Sequence, residues 1–224
     1  IENISIDLMF GFPDESLNDW QSDIDEALSL EVQHISAYSL MYEEGTPLFR
    51  LLNEKKIKEI NEETSLKMYE MLIESLTNNG FEHYEISNFA LPSYRSKHNS
   101  SYWKQISYLG IGASAHSYNI VSRQWNIADV KDYIRFVNSS SHEYIEETEH
   151  LTDTERYNDI ITTTLRTSDG IDTRTLPQRH RVFILKASQK HIALGNLSLD
   201  NGIIRLTHQG LFISNSIMVD LIEE

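Results

Sequence analysis

The sequence contains no cysteine among its 224 residues. This absence excludes disulfide bonds, zinc sites built on thiolates, and any iron–sulfur cluster held by cysteines of these residues. If the chain works with such a cluster, the thiolate ligands have to come from residues outside it.

Long apolar runs are also missing, and none approaches the roughly 20 residues that a helix needs to cross a bilayer. The sequence begins with Ile1 rather than Met and opens directly into the apolar residues 4–10, so no targeting peptide is visible. We therefore expect a cytoplasmic protein and a chain cut from a longer one. A peripheral association of the full-length protein with a membrane stays open.

Basic residues are scarce, with 19 Lys and Arg against 34 Asp and Glu and a net charge of −15. Nucleic-acid binding needs a surplus of Lys and Arg, so no nucleic-acid partner is expected. Residues 1–150 hold 25 acidic and 11 basic side chains, whereas residues 151–224 hold 9 and 8. This shift suggests a change of domain before Leu151.

The first third of the chain has the pattern of a βαβ unit. Residues 4–10 predict a buried strand, and the turn residues 11–14 end it. Ser16 and Asp19 predict the N-terminus of a helix of roughly 14 residues. Residues 32–41 predict a second strand. Because the connections are short, the two strands should be parallel, with any site at their C-terminal ends.

Asp7 lies inside the first of these apolar strands. A carboxylate buried among apolar residues is costly unless it is paired. Two interpretations therefore stay open, a functional carboxylate and a strand-end residue that faces water.

The next predicted elements are a long helix and an extended segment. Asn61 can cap the helix, and Gly80 stands where a glycine commonly follows a helix end. Residues 81–89 read as extended, and we expect their two acids, Glu82 and Glu85, to be solvated.

The last hundred residues predict helices and one hairpin. Residues 127–137 and 152–165 have helical patterns, the second opening with a capping box. A helix near residues 181–194 precedes two short apolar runs joined by Asn201-Gly202, which is a strong hairpin signal. Helix, hairpin and helix resemble a winged-helix arrangement, and a regulatory module of that kind is a weaker alternative for the function.

Residues 84–116 combine aromatic, charged and glycine residues in a way that a simple core segment would not. Residues 110–115 match the pattern G-x-G-x-x-G/A, but no long strand precedes them, so a nicotinamide site is disfavoured. The glycines are instead predicted to let the backbone pass close to another element or to a bound ligand. His98 fits an ordinary surface or hydrogen-bonded histidine, and it is also a competent axial ligand for heme iron.

Several motifs together resemble one family. They are residues 7–13 (DLMFGFP), 38–40 (YSL), Glu43 followed by Gly45-Thr46-Pro47, 84–90 (YEISNFA), 98–103 (HNSSYW) and 108–116 (YLGIGASAH). The chain resembles the later part of HemW-type proteins, which belong to the radical S-adenosylmethionine family and have long been labelled oxygen-independent coproporphyrinogen III oxidase-like. The resemblance extends over about the whole chain.

The resemblance implies an α/β fold. Residues 1–120 would form the C-terminal part of an incomplete (β/α) radical-SAM barrel that carries the H-N-x-x-Y-W segment. Residues 121–224 would form a HemN-type, mostly helical domain with a winged-helix-like β-hairpin. The N-terminal half that binds the cluster would precede Ile1.

The resemblance also implies cofactors and site residues. A [4Fe–4S] cluster would be held by a C-x-x-x-C-x-x-C loop outside these residues. Asp7, Ser39 and His116 fall at positions that resemble those contacting S-adenosylmethionine in the HemN enzymes, His116 in place of an apolar residue. His98 is the residue tied to heme. The resemblance assigns no catalytic residue or protein metal ligand within the chain.

Two functions follow from the resemblance. As a HemW-like chaperone, the protein would bind heme and hand it to an acceptor protein. As an oxidase, it would decarboxylate coproporphyrinogen III to protoporphyrinogen IX through radical chemistry. The intact H-N-x-x-Y-W motif favours the chaperone. Whether the full-length protein is an enzyme is left open, and the present chain, which lacks the cluster cysteines, is expected to be inactive alone.

Overall fold

The computed structural model describes residues 1–139 and 145–224. The described chain forms two compact units, Ile1–Ser96 and Lys97–Glu224. The sequence-based boundary after residue 120 differs from this division and stays a prediction.

The first unit is a four-stranded sheet with helices. Its elements are β1 (Ser5–Phe10), α1 (Leu17–Ser29), β2 (His34–Ser39), α2 (Pro47–Asn53), α3 (Glu62–Asn78), β3 (Glu82–Glu85) and β4 (Asn88–Ala90). The strand order is β1-β2-β4-β3. The β1–β2 pair is parallel, as the βαβ pattern predicts, and β4 pairs with β2 and β3 in antiparallel fashion.

Capping residues set the helix limits in this unit. Ser16 and Asp19 form a capping box at the start of α1, and the Asn61 side chain accepts from the Thr64 amide at the start of α3. Both caps were predicted, because such side chains replace the hydrogen bonds that the first helical amides lack. Gly80 follows α3 with a φ of 85°, a conformation that glycine adopts without steric strain.

One face of the sheet packs on α1 and α3. The Phe10 ring lies 5.1 Å from Trp20 of α1 and 6.4 Å from Tyr69 of α3, centroid to centroid. The indole of Trp20 is fully buried and donates to the Met68 carbonyl oxygen at 2.9 Å. Burial of aromatic side chains of this size, with the indole N–H satisfied, dominates the packing of this face.

The second unit mixes helices with two small sheets. Its described elements are α4 (Lys97–Trp103), β5 (His116–Tyr118), β6 (Ser122–Asn126), α5 (Val130–Val137), β7 (Ile145–His150), α6 (Asp153–Thr164), β8 (Ile171–Asp172), α7 (Gln178–Ala187), α8 (Gln189–Ala193), β9 (Leu197–Asp200), β10 (Ile203–Leu206), α9 (His208–Leu211) and α10 (Ser214–Leu221). The sheets have the orders β5-β6-β7 and β8-β10-β9, and all their pairings are antiparallel.

The predicted hairpin is present as β9 and β10. Asn201 and Gly202 have φ values of 49° and 78°, as a two-residue turn of type I′ requires. The helix expected at residues 181–194 is divided into α7 and α8, with Ser188 between them in a helical conformation. In the same unit, the buried Tyr157 of α6 donates to the Leu221 carbonyl oxygen at 2.8 Å and ties α6 to α10.

Neither the four-stranded sheet nor the two smaller sheets closes into a barrel within residues 1–139 and 145–224. Within the same residues, none of the helices is both long and apolar enough to span a membrane.

Candidate functional site

His98 lies on the short helix α4, and its side chain is exposed. The Tyr102 hydroxyl, one helical turn later, is 3.1 Å from His98 Nε2. The two rings meet edge to face with centroids 5.0 Å apart. The i, i+4 spacing places both side chains on one face of the helix. Tyr102 therefore orients an imidazole that an external ligand can reach.

Aromatic rings continue from Tyr102 into the sheet of the second unit. The Tyr102 ring lies 4.9 Å from that of Tyr108, which in turn lies 6.0 Å from that of Tyr118 on β5. Tyr108 and Tyr118 are also joined by two backbone hydrogen bonds of 2.9 Å. The three tyrosines form a continuous aromatic row beside His98.

His116 is the first residue of β5, and its side chain is exposed. Its ring lies 5.7 Å from that of Trp125, its partner in the β5–β6 register. The glycine loop before it is tightly packed. A Cβ on Gly110 would lie 2.2 Å from the His116 carbonyl oxygen. The predicted close backbone approach at this glycine is therefore confirmed.

Asp7 and Ser39 lie on neighbouring strands of the first unit. In the parallel register Asp7 pairs with Ser36, and Ser39 pairs with Phe10. Because side chains alternate along a strand, Asp7 and Ser39 belong to opposite faces, and about 10 Å of strand separates their levels. Both side chains are exposed. Asp7 thus faces outward from mid-strand, whereas Ser39 stands at the C-terminal edge.

The residues predicted to contact S-adenosylmethionine fall into both units. Asp7 and Ser39 belong to the first unit, and His116 belongs to the second with His98. The structure therefore brings Asp7 and Ser39 onto adjacent strands of one sheet. Their assignment to S-adenosylmethionine stays a prediction.

A buried polar network lies on the face that carries Asp7, and sequence reasoning missed it. His34 Nδ1 is 2.8 Å from Ser5 Oγ, and His34 Nε2 is 2.7 Å from the Tyr84 hydroxyl. Burial lowers the pKa of His34, and the nearby Asp7 carboxylate opposes this shift. The alternation of His34 and Ser36 with apolar residues along β2 is the signal that could have revealed this polar face.

Glu85 belongs to the same face, and the expectation that it is solvated is wrong. Its side chain is only 2% exposed, and its carboxylate accepts from the Ser87 amide at 2.9 Å and from Asn88 Nδ2 at 2.5 Å. Asn88 Oδ1 also accepts from the Ser36 hydroxyl at 3.1 Å. A buried carboxylate is tolerated because these donors replace water. Glu82 is half-buried and pairs with Arg95 at 2.8 Å.

The chain's own donor set does not fit an iron–sulfur cluster, because it contains no cysteine. Within residues 1–139 and 145–224, no three His, Asp or Glu side chains are grouped closely enough to hold a metal ion. Taken singly, the Asp7 carboxylate can accept from, and the Ser39 hydroxyl can donate to, the hydroxyl groups of a nucleoside-like ligand. Their places on opposite faces of the sheet do not bring the two groups together at one ligand.

The chain matches a family model, curated relatives and a solved structure. The family model for the HemN C-terminal domain matches residues 151–213. The heme chaperone HemW of Bacillus subtilis is 32% identical over 220 residues, which is 96% of this chain and 58% of that protein. The Lactococcus lactis heme chaperone HemW is 37% identical over 134 residues, covering 60% of this chain and 35% of that protein.

A solved structure shares the fold. Coproporphyrinogen III oxidase (HemN) from Escherichia coli, described as a radical SAM enzyme, superposes with a TM-score of 0.71 over 97% of this chain and 54% of its own length. The identity is 17%, so this likeness shows the fold alone. It confirms the expected α/β class, with open sheets that correspond to part of a radical-SAM fold.

The present chain spans little more than half of the Bacillus subtilis protein and of the Escherichia coli enzyme. The family model, the curated relatives and the shared fold together support the assignment of the chain to the HemW/HemN-type radical S-adenosylmethionine proteins.

Proposed function

We propose that the protein is a HemW-like heme chaperone, which binds heme and hands it to an acceptor protein. The observation that carries the proposal is the exposed His98 on α4, held by Tyr102 within the H-N-x-x-Y-W motif. Relatives similar to the chain over most of its length are named heme chaperones. A neutral imidazole is a common ligand for heme iron.

The exposure of His98 suits transfer better than permanent storage. A ligand on a short surface helix can bind heme iron and still be reached by an acceptor protein. The Tyr102 hydroxyl at Nε2 restricts the ring before heme arrives. If heme iron were bound through Nδ1, the Tyr102 contact at Nε2 would remain and the imidazole would stay oriented, which would lower the entropy lost on binding. Binding through Nε2 would replace that contact.

S-Adenosylmethionine and a [4Fe–4S] cluster are part of the proposal as family cofactors. Asp7 is proposed to accept hydrogen bonds from hydroxyl groups of S-adenosylmethionine. The contacts that the resemblance implies for Ser39 and His116 stay predictions. When bound together, these cofactors supply radical chemistry in this family. The thiolates for the cluster come from outside the present chain, which contains none. A cytoplasmic location and a peripheral membrane association stay predictions.

The oxidase alternative has less support, because the likeness to HemN is one of fold at 17% identity. The regulatory winged-helix alternative rests on the hairpin β9–β10 alone. Residues 151–224 carry a charge of only about −1, with 9 acidic and 8 basic side chains, so they lack the positive surface that DNA binding requires.

The test is heme titration of the protein produced at the full length of its gene, with the cluster reconstituted without oxygen. His98→Ala should weaken heme binding by more than about tenfold, equivalent to about 1.4 kcal/mol, and should slow transfer to an acceptor. Cluster absorbance should not change. His150→Ala, at another exposed histidine, is the matched control. Unchanged titration and transfer in His98→Ala would remove His98 from the site.

The same preparation tests the S-adenosylmethionine contact. Asp7→Asn removes one charge and keeps the side-chain size, and it should weaken S-adenosylmethionine binding measured by calorimetry. Wild-type affinity in this variant would mean that Asp7 has a structural role only.

A further inference from the structure

A small cavity of about 120 Å³ lies inside the second unit, beside the aromatic row. Its lining consists of Tyr102, Gln105, Tyr108, Tyr118, Arg123, Asp159 and Thr163. Three of these residues are the tyrosines that run from His98 to β5. The cavity therefore shares a wall, Tyr102, with the proposed heme ligand.

Two polar groups of the lining are buried without a partner. Within the described part of the chain, neither the Tyr118 hydroxyl nor Gln105 Nε2 has a hydrogen bond, and both atoms are shielded from solvent. Tyr118 as a whole is only 8% exposed. Leaving a buried donor unpaired is destabilising, so such groups are exceptional and call for an explanation. Both groups can donate, so the missing partner is a hydrogen-bond acceptor.

The charges around the cavity leave further donors available. The Arg123 guanidinium donates through Nη2 to Asp159, and its Nη1 lies 3.8 Å from Glu149. Arginine has five N–H donors, more than the contacts with Asp159 and Glu149 use, although these two carboxylates balance its charge. Burial raises the pKa of Tyr118, and the Asp159 carboxylate adds to this shift, so the phenol keeps its proton and remains a donor.

The size of the cavity limits what can enter it. Sites for drug-sized ligands measure about 300–1,000 Å³, so a volume near 120 Å³ holds a side arm and not a macrocycle. Heme carries two such arms, each ending in a propionate carboxylate that accepts several hydrogen bonds. The unpaired donors of Tyr118 and Gln105 complement an acceptor-rich arm of this size, and Arg123 balances the charge of the Asp159 carboxylate in the same lining.

We infer that this cavity receives a heme propionate, with Tyr118 and Gln105 as the donors and Arg123 as the nearby cation, while His98 holds the iron. This inference rests on the proposed function, because it places a second contact of the same ligand. The macrocycle would then lie along Tyr102, which is exposed, and Tyr108, which is half-buried. Heme would thus be recognised by its carboxylate as well as by its metal.

The experiment compares heme with its dimethyl ester, which keeps the iron and the macrocycle but removes both carboxylates. Titrations use the protein at the full length of its gene, in wild type, Tyr118→Phe, Gln105→Leu and His98→Ala forms. Gln124→Leu is the matched control, because Gln124 is also half-buried but does not line the cavity. Unfolding midpoints without heme are measured for every variant.

Wild-type protein should bind heme about 10- to 100-fold more tightly than the dimethyl ester, the range expected for hydrogen bonds to a charged group. Tyr118→Phe and Gln105→Leu should each reduce the ratio of the two affinities. They should weaken the binding of heme and leave the binding of the ester largely unchanged. Tyr118→Phe should leave the unfolding midpoint unchanged or raised, because it removes a buried hydroxyl that has no partner. Gln124→Leu should keep the wild-type ratio.

The outcomes separate the two proposals. Equal affinity for heme and ester, with binding still dependent on His98, would overturn the propionate site and leave the chaperone function standing. Binding that does not depend on His98 would overturn the proposed function itself. If both cavity variants weaken heme and ester to the same extent, the residues shape the protein without contacting the carboxylate, and the inference fails.

Discussion

His34 is a buried imidazole whose two nitrogens are both occupied by hydroxyl groups, those of Ser5 and Tyr84. Neutral histidine satisfies this arrangement, because one nitrogen donates while the other accepts. Because burial disfavours the charged imidazolium, the pKa of His34 is lowered. The Asp7 carboxylate opposes this shift without reversing it. The first unit accordingly contains a group that resists protonation when folded.

We expect this histidine to make the protein less stable in mild acid. Its pKa in the folded state lies below the unfolded value of about 6.5, so the unfolded chain binds more protons between the two values. The contribution of His34 is complete above pH 6.5 and is lost as the pH falls toward the folded pKa. In His34→Gln, the free energy of unfolding measured with urea should change less between about pH 7 and pH 5.

The control for this prediction is His150→Gln, because His150 is exposed on β7. In that variant, the free energy of unfolding should change between about pH 7 and pH 5 by as much as in the wild type. If His34→Gln and the wild type lose stability in parallel on acidification, His34 is not the titrating group.

Single residues of the site could be predicted from sequence only where the motif is local. The i, i+4 spacing of His98 and Tyr102 on α4 is visible in the sequence, and the structure joins them. The burial of Glu85 was not predictable in this way. It depends on Asn88 across the tight β3–β4 connection and on Ser36 of β2, which pairs with Asn88. Contacts across a sheet depend on register, which local patterns do not specify.

At the scale of elements, α6 opens with a capping box in which Thr152 and Glu155 satisfy each other's backbone amides. Removing the hydroxyl in Thr152→Ala should lower the free energy of unfolding by about 1 kcal/mol, within the usual range of about 0.5–2 kcal/mol. Thr152→Ser keeps the hydroxyl and should stay close to the wild type. The free energies of unfolding of the three proteins are measured with denaturant. An equal decrease in both variants would show that stability depends on the methyl group of Thr152 and not on the cap.

The elements with strong local signals were predicted well. Asn201-Gly202 requires positive φ at two successive positions, so the hairpin follows from two residues. Strand β7 was missed, because its sequence Ile-Glu-Glu-Thr-Glu-His is rich in acids that rarely favour strands. Pairing with β6 overrides this propensity, as in the contact between Arg123 and Glu149 across the two strands.

For the whole molecule, the division into two units separates the charge. Residues 1–96 hold 19 acidic and 6 basic side chains, whereas residues 97–224 hold 15 and 13. The unit that contains His98 and the cavity is therefore close to neutral, and most of the net charge of −15 lies in the other unit. The electrostatic field of this negative net charge repels an anionic ligand as it approaches. Once the ligand is bound, hydrogen-bond donors at short range hold it.

The 224-residue chain should therefore bind heme faster as salt is added. Raising the ionic strength from about 0.01 M to 0.1 M shortens the screening length from about 30 Å to about 10 Å, so the repulsion between the acidic chain and the propionates weakens. Stopped-flow mixing should show a rising association rate for heme and a constant rate for its uncharged dimethyl ester. A heme rate that falls with salt would instead mean that local cations such as Arg123 dominate the field at the entrance, and the net charge would then have no part in the approach of the ligand.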